Sequence, residues 1–353
     1  MKEFLKRHSA SVSVLVILLV SLYFWQPGPN AIAITEFGGA TMGTSYSVKV
    51  VEESSSSSVD LLAREVSEIL RVLDKEVMST YSEDSELTAI NAAPINEQIM
   101  LSGAMSDVLS LALEINALTD GAFDVTVGPL VNRWGFGPEQ RHQSRIPDQA
   151  EIDAIAARVG SQYLDLDATA ATLVKRADVY IDLSGIAKGY AVDQLAHYLD
   201  ERGYASYFIE VGGELRIKGY KPGEQTWVPA IETPADTAPQ VHNIFYAKGE
   251  SIAVAGSGDY RNYFDLDGVH YSHEIDPATG RPVTHNLAAV YVIDASAARA
   301  DALATAFMVL GTQRGFELAR SIGLAAYFIS KREAQEGFDD LYTSQFAHYL
   351  SID

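Results

Sequence analysis

The chain has 353 residues and a formal charge of −21, with 47% of its residues hydrophobic. That is enough apolar material for one large core, while so negative a field repels nucleic-acid phosphates and anionic lipid surfaces. There is no cysteine, which excludes disulfides, thiolate metal sites, cysteine nucleophiles and a lipid-modified N-terminal cysteine.

Residues 1–33 read as an address. Lys2, Lys6 and Arg7 precede a mostly apolar run from Val12 to Trp25, shorter than the roughly 20 residues of a spanning helix and suited to a signal-peptide core. Ala31-Ile32-Ala33 offers a small-x-small cleavage site but lies well beyond the apolar run, so the segment is either a signal peptide or an uncleaved N-terminal membrane anchor. Both readings imply export, to the periplasm or to its inner-membrane face. The segment carries +2, leaving −23 on residues 34–353, which no long linker divides and which read as a single domain.

Along that domain, Tyr46, Val48 and Val50 alternate with polar residues as in a half-buried strand. The serine run Ser54 to Ser58 reads as a loop. From Val59 an apolar stripe through Leu62, Val66, Ile69, Leu73 and Val77 predicts an amphipathic helix. A second helix is expected from Ser102 to about Thr119, stopped by Asp120-Gly121. Asp148 with Glu151 resembles a capping box opening a short helix ended by Gly160. Further on, Tyr180 to Leu183 reads as a strand end, Gly189 to Arg202 as a helix, and Tyr207 to Val211 as a strand running into Gly212-Gly213. Short strands are expected at 215–218, 227–231, 252–255 and 288–293, then a helix from Ala297 to Leu310 closed by Gly311. Strands and helices come in mixed runs without strict βαβ alternation, so the pattern favours α+β over a doubly wound fold. There is no internal repeat of useful strength.

Five segments gather glycine, acids and hydroxyls. Gly38 to Thr44, just before the first strand, has the small residues that permit close backbone approach. Gly121 to Leu130 sets Phe123 and Asp124 between two glycines. Ile181 to Gly189 reads as strand, turn and helix start, able to present N–H groups to an anion with Lys188 adding positive potential. Because glycine follows Lys188, it is no Walker motif. Glu210 to Glu214 turns sharply through two glycines. The fifth segment has two parts: His273 and Glu274 before the Asp276-Pro277 turn, and Asp301 with Thr305 at i and i+4 on one helix face. A carboxylate and a hydroxyl so placed suit Mg²⁺. An acid in a helix's first turn and a back-bonded threonine would account for the same residues without a metal, so spacing alone leaves both readings open.

Taken together, Ala40 to Thr44, Ser79-Thr80-Tyr81 with Ser85-Glu86-Leu87, Gly121 to Leu130, Asp182 to Gly189, Val211 to Glu214, Ser272 to Gly280 and Ala300 to Ala306 resemble the ApbE family of FAD:protein FMN transferases, in order, from about residue 38 to residue 330. The resemblance implies a single mixed α/β catalytic domain with a T-fold-like core. It implies FAD contacts at Met42, Tyr81, Ala122, Phe123, Asp124, Asp182, Lys188 and Ile275, and Mg²⁺ held by Asp301, Thr305 and the carbonyl of Gly185. The position of Lys188 is acidic in some relatives and that of Gly185 is often another small residue. The first leaves the role of Lys188 open between phosphate contact and flavin surroundings.

The implied chemistry is attack by a partner's Ser or Thr hydroxyl on the FMN-side phosphorus of FAD, with AMP leaving. For the base, His273 is the candidate; a structural cap on the Asp276-Pro277 turn is its other reading. A Mg²⁺-dependent FAD pyrophosphatase, with water as nucleophile, and a non-catalytic flavin-binding protein are the alternatives. The resemblance suggests as acceptors subunits of membrane redox complexes of the Nqr or Rnf type.

Overall fold

The computed structural model describes residues 32–53, 56–137, 146–235, 237–260, 263–266, 269–332 and 336–352. The expected signal or anchor segment lies outside the described residues except for Ile32 and Ala33. Among the described residues no helix is long and apolar enough to cross a membrane.

The α+β expectation holds. One eight-stranded sheet runs through the chain, its strands here β1 (Ile32–Thr41), β2 (Thr44–Glu53), β3 (Tyr207–Val211), β4 (Glu214–Gly219), β5 (Gly249–Gly258), β6 (Leu287–Asp294), β7 (Ala325–Lys331) and β8 (Phe338–Tyr342). Their order in space is their order in sequence, and every neighbouring pair is antiparallel. Helices and small hairpins are inserted between these strands.

The central strands are apolar on both faces because both faces are covered. Ala253, Ala255, Val290, Val292, Ala326 and Phe328 face the larger core, while Ile252, Val254, Ala289, Ile293, Tyr327 and Ile329 face a second cluster with Trp227, Phe245 and Phe346. The larger core is roofed by α1 (Ser56–Arg71), α2 (Gly103–Leu118), α3 (Ala187–Glu201) and α4 (Ala297–Ser321). Fully buried side chains such as Leu303 and Phe307 each contribute about 1.5–3 kcal/mol.

Several expectations hold closely. Strand β3 has the predicted bounds, Ser102 caps α2 by accepting from Met105 N, and Asp148 and Glu151 form the predicted capping box. Others need correction. Helix α1 opens at Ser56, inside the serine run read as a loop, and its apolar stripe continues through a π-helical stretch, Val72–Met78, that keeps Leu73, Val77 and Met78 buried. Gly38 to Thr41 lie within β1, not before the first strand. A Cβ on Gly38 would stand 2.4 Å from the Tyr46 carbonyl and one on Gly39 2.9 Å from the Tyr46 ring, so these glycines make room for a cross-strand tyrosine. Tyr180–Leu183 belongs to no strand. The side chain of Asn91 replaces a neighbouring strand there, donating to the Ile181 carbonyl at 2.9 Å and accepting from its N–H at 2.7 Å. Of 227–231, only the end joins a strand, Ala230–Glu232. Gly311, at φ 76° and ψ 173°, breaks α4 where the sequence suggested, but a second helical stretch follows to Ser321.

Candidate active site

The site is built where α3 and α4 cross. Helix α4 presents a run of buried alanines, among them Ala297, Ala298, Ala300, Ala302 and Ala304, and α3 meets it at Gly189. A Cβ on Gly189 would lie 2.3 Å from the Ala297 carbonyl oxygen, so only glycine permits this approach. Each helix also caps the other. Asp193 on α3 accepts from Ala297 N, Ala298 N and the Ser296 hydroxyl at 2.7–3.0 Å. Asp301 on α4 accepts from Gly189 N at 3.0 Å in the first turn of α3. Asp301 is therefore not a first-turn acid of its own helix, as one sequence reading had it. It is a buried carboxylate, 4% exposed, facing another helix's positive end.

Lys188 completes this crossing. Its ammonium lies 3.0 Å from Glu214 Oε1 and 3.7 Å from Asp301 Oδ1, with the side chain 27% exposed toward the cavity. Burial pushes the Glu214 carboxyl up to about 8 against the pull of Lys188, and it raises Asp301 as well. Burial alone would lower Lys188; Asp301 and Glu214 reverse this and hold its ammonium above the usual lysine range. Two buried carboxylates against one lysine leave a net negative charge when all three are ionised. Glu214 Oε2 is buried with no hydrogen-bond partner, which is costly unless a cation or donor comes near. The expectation that Lys188 and the helix start form a ready anion site therefore needs revision: the protein's own carboxylates already occupy both.

The residues expected to hold a cation do converge. A Cβ on Gly185 would meet Thr305 Oγ1 at 3.1 Å and the Phe123 ring at 3.2 Å. Thr305 lines the cavity from the same helix as Asp301, and among the described residues no back-bond ties its hydroxyl to a helical carbonyl. Among the described residues no group of three or more His, Cys, Asp or Glu is arranged to hold a metal. A cation at this crossing would instead have one carboxylate, a hydroxyl and a carbonyl oxygen, a hard and partly hydrated set that suits Mg²⁺.

A cavity of about 330 Å³ opens over the crossing, lined by Tyr81, Ala122, Phe123, Asp124, Asp182, Gly185, Lys188, His273, Ile275, Asp301 and Thr305. Met42 is the one expected residue outside it. It lines an adjoining cavity of about 450 Å³ that shares Thr80, Tyr81, Asp182, Ser184 and Lys188 with the first.

The lining residues serve different ends. Tyr81 is 76% exposed, an aromatic face standing free at the junction of the two cavities. The Asp124 carboxylate accepts from Thr126 N and Oγ1, Ser161 N and Oγ, and Asn116 Nδ2, so that side chain knots the loop together. Asp182 accepts from Ser184 N at 2.8 Å and so shapes the turn into α3. Ile275 packs against Leu130, Trp134 and Ile152 beneath the cavity. His273 makes no bond to the Asp276-Pro277 turn, which Asp276 closes itself by accepting from Ala278 N and Gly280 N. The capping role is thus set aside. The imidazole instead lines the cavity, with Nε2 3.5 Å from Glu274 Oε1, Nδ1 buried without a partner, and the ring edge-on to Phe136 at 6.2 Å between centroids.

Sequence reasoning assigned no role to three residues here. Glu214 lies within a motif block but faces inward at the start of β4, 2% exposed, and no local pattern marks it. Glu274 is buried and accepts from the Ser257 hydroxyl at 3.0 Å. Asp74 lines the second cavity from the π-helical stretch.

Comparison with known proteins identifies the family. The profile described as the ApbE family matches residues 42–328. A Vibrio cholerae FAD:protein FMN transferase is 41% identical over 89% of this chain and 92% of its own length, and a Salmonella typhimurium FAD:protein FMN transferase is 42% identical over 89% of each. Among solved structures, the Vibrio cholerae flavin transferase ApbE superposes with a TM-score of 0.81 at 38% identity, covering 91% of this chain and all of that one. The Pseudomonas stutzeri flavinyl transferase ApbE in its apo form gives 0.81 at 39% identity, covering 90% and 97%. With the family's profile spanning most of the sequence and its solved members sharing the fold, the chain belongs to the ApbE family.

Proposed function

We propose that the chain is an FAD:protein FMN transferase. A Ser or Thr hydroxyl of an acceptor protein attacks the FMN-side phosphorus of the FAD pyrophosphate. The new oxygen–phosphorus bond forms as the bond to the AMP phosphate breaks, leaving FMN as a phosphoester on the acceptor and AMP free. The observation that carries this reading is one cavity in which a buried carboxylate, hydroxyl and lysine at a helix crossing face an exposed tyrosine and a histidine.

In this mechanism the chain's residues chiefly align groups and balance charge, as phosphoryl-type transfer requires. Asp301, Thr305 and the Gly185 carbonyl would hold Mg²⁺, which when bound supplies positive charge to the pyrophosphate oxygens. Lys188, held between Glu214 and Asp301, offsets their negative charge at the same place. His273, with Nε2 nearest Glu274, takes the acceptor hydroxyl's proton. Tyr81 offers its ring to one of the flat heterocycles of FAD.

The basic and apolar residues of 1–33 support export, with the domain working at the periplasmic side of the inner membrane. A hydroxyl acceptor on a membrane redox subunit of the Nqr or Rnf type fits that location.

The test incubates the protein with FAD, Mg²⁺ and a candidate acceptor domain, followed by intact mass and nucleotide analysis. FMN covalently on the acceptor with AMP released is the expected result. Free FMN and AMP with an unmodified acceptor would make the chain a pyrophosphatase, and unchanged FAD would make it a flavin binder.

A further inference from the structure

Strands β1 and β2 are joined by two residues, Met42 and Gly43, at φ 48° and 72°. Such a two-residue connection suits Asn-Gly, because both positions need positive φ; glycine fits the second here, but methionine does not favour the first. A side chain held in a disfavoured backbone region persists only where its surroundings fix it. Beyond the β1–β2 pairing itself, the group that holds the turn is Asp74, whose Oδ2 accepts from Met42 N at 3.1 Å across 32 residues of sequence. Asp74 reaches the turn from Val72–Met78, where the helix after α1 takes π geometry. A π turn needs one residue more than an α turn, so it shifts later side chains around the helix axis. Here it keeps Leu73, Val77 and Met78 in the core while Asp74, Lys75 and Met78 line the second cavity beside Met42.

The second cavity joins the first at Tyr81, Asp182 and Lys188. A dinucleotide has two flat ring systems linked by a pyrophosphate, and two chambers meeting at a lysine match that shape. Met42 forms a wall of the second chamber, where a thioether packs well on an aromatic ring.

We propose that Asp74 is a positioning residue for FAD: by holding the Met42 N–H it fixes the left-handed turn that presents Met42 to a ring of the dinucleotide in the second chamber. This rests on the FAD-dependent reading above. The strained methionine is kept for the surface it offers, and the π-helical stretch exists to deliver the carboxylate that holds it.

The experiment compares Asp74→Ala, Asp74→Asn and Met42→Ala in FAD titration, steady-state transfer and thermal melting. Asp74→Ala should raise the KM and Kd for FAD about tenfold, with kcat at saturating FAD within about twofold of wild type. Asp74→Asn, whose amide oxygen can still accept from Met42 N, should recover affinity to within about threefold of wild type. A purely structural role predicts instead a lowered melting temperature with FAD affinity unmoved in the folded protein, and that result would overturn the proposal. If Met42→Ala weakens FAD binding but Asp74→Ala does not, the positioning role fails while FAD's place in the chamber stands. If Met42→Ala binds FAD as wild type does, that placement itself fails and the proposal with it.

Discussion

The two sides of the cavity are built on different principles. On one side α3 and α4 are pressed together by Gly189 and a row of alanines, cap each other through Asp193 and Asp301, and bury Lys188, Glu214 and Asp301 as a charged trio. On the other side Tyr81 stands exposed, Met42 sits on a hairpin turn beside the adjoining cavity, and His273 lies two residues before Ile275, which packs in the small cluster around Trp134. The buried side cannot shift without losing helix packing, which suits groups that must meet developing charge at a fixed distance. The open side presents surfaces that a flat ligand and a protein acceptor can reach. Fixed charge at the crossing and adaptable recognition at the rim are thus separated in space, and substitutions on the two sides should fail differently.

The largest effect is expected at the crossing. Asp301→Asn keeps an oxygen for the Gly189 N–H, so the fold and the cap should survive, whereas transfer should fall below detection in a single-turnover assay. His273→Asn should lower single-turnover transfer by roughly 10²–10⁴-fold with FAD affinity preserved, since base assistance acts mainly on the rate. Near-normal transfer in that variant would move His273 off the catalytic side of the comparison. Gly189→Ala touches no ligand yet forces a methyl against the Ala297 carbonyl. It should cost about 1–3 kcal/mol in urea unfolding, as overpacking does, and an unchanged midpoint would show that the helices part more freely than described. Tyr81→Ala should be the mildest, removing stacking worth about 1 kcal/mol and so raising the FAD KM about fivefold while kcat holds. A large fall in kcat there would erase the division between rim and crossing.

What could be read from the sequence was mostly local. Asp301 and Thr305 share a helix face because their spacing requires it, and β3 ends at Gly212-Gly213 where the glycines said it would. The block Asp182 to Gly189 was recognisable as a turn into a helix. What escaped was set by distant partners. The Asp301 carboxylate meets Gly189 across 112 residues, and across 90 the side chain of Asn91 takes up the Ile181 backbone groups that a neighbouring strand would have paired. Gly38 and Gly39 looked like a ligand loop because the tyrosine they accommodate lies on the next strand. The inward turn of Glu214, which ties Lys188 down, follows from the sheet's register and not from its own neighbourhood.

The division between crossing and rim rests finally on where a cation binds. Calorimetric titration of Mg²⁺ into FAD-loaded protein, wild type against Asp301→Asn, tests this directly. Saturable binding in the wild type that disappears in the variant, with FAD affinity the same in both, is the predicted result. Equal Mg²⁺ binding in the two proteins would contradict it and move the cation away from the α3–α4 crossing.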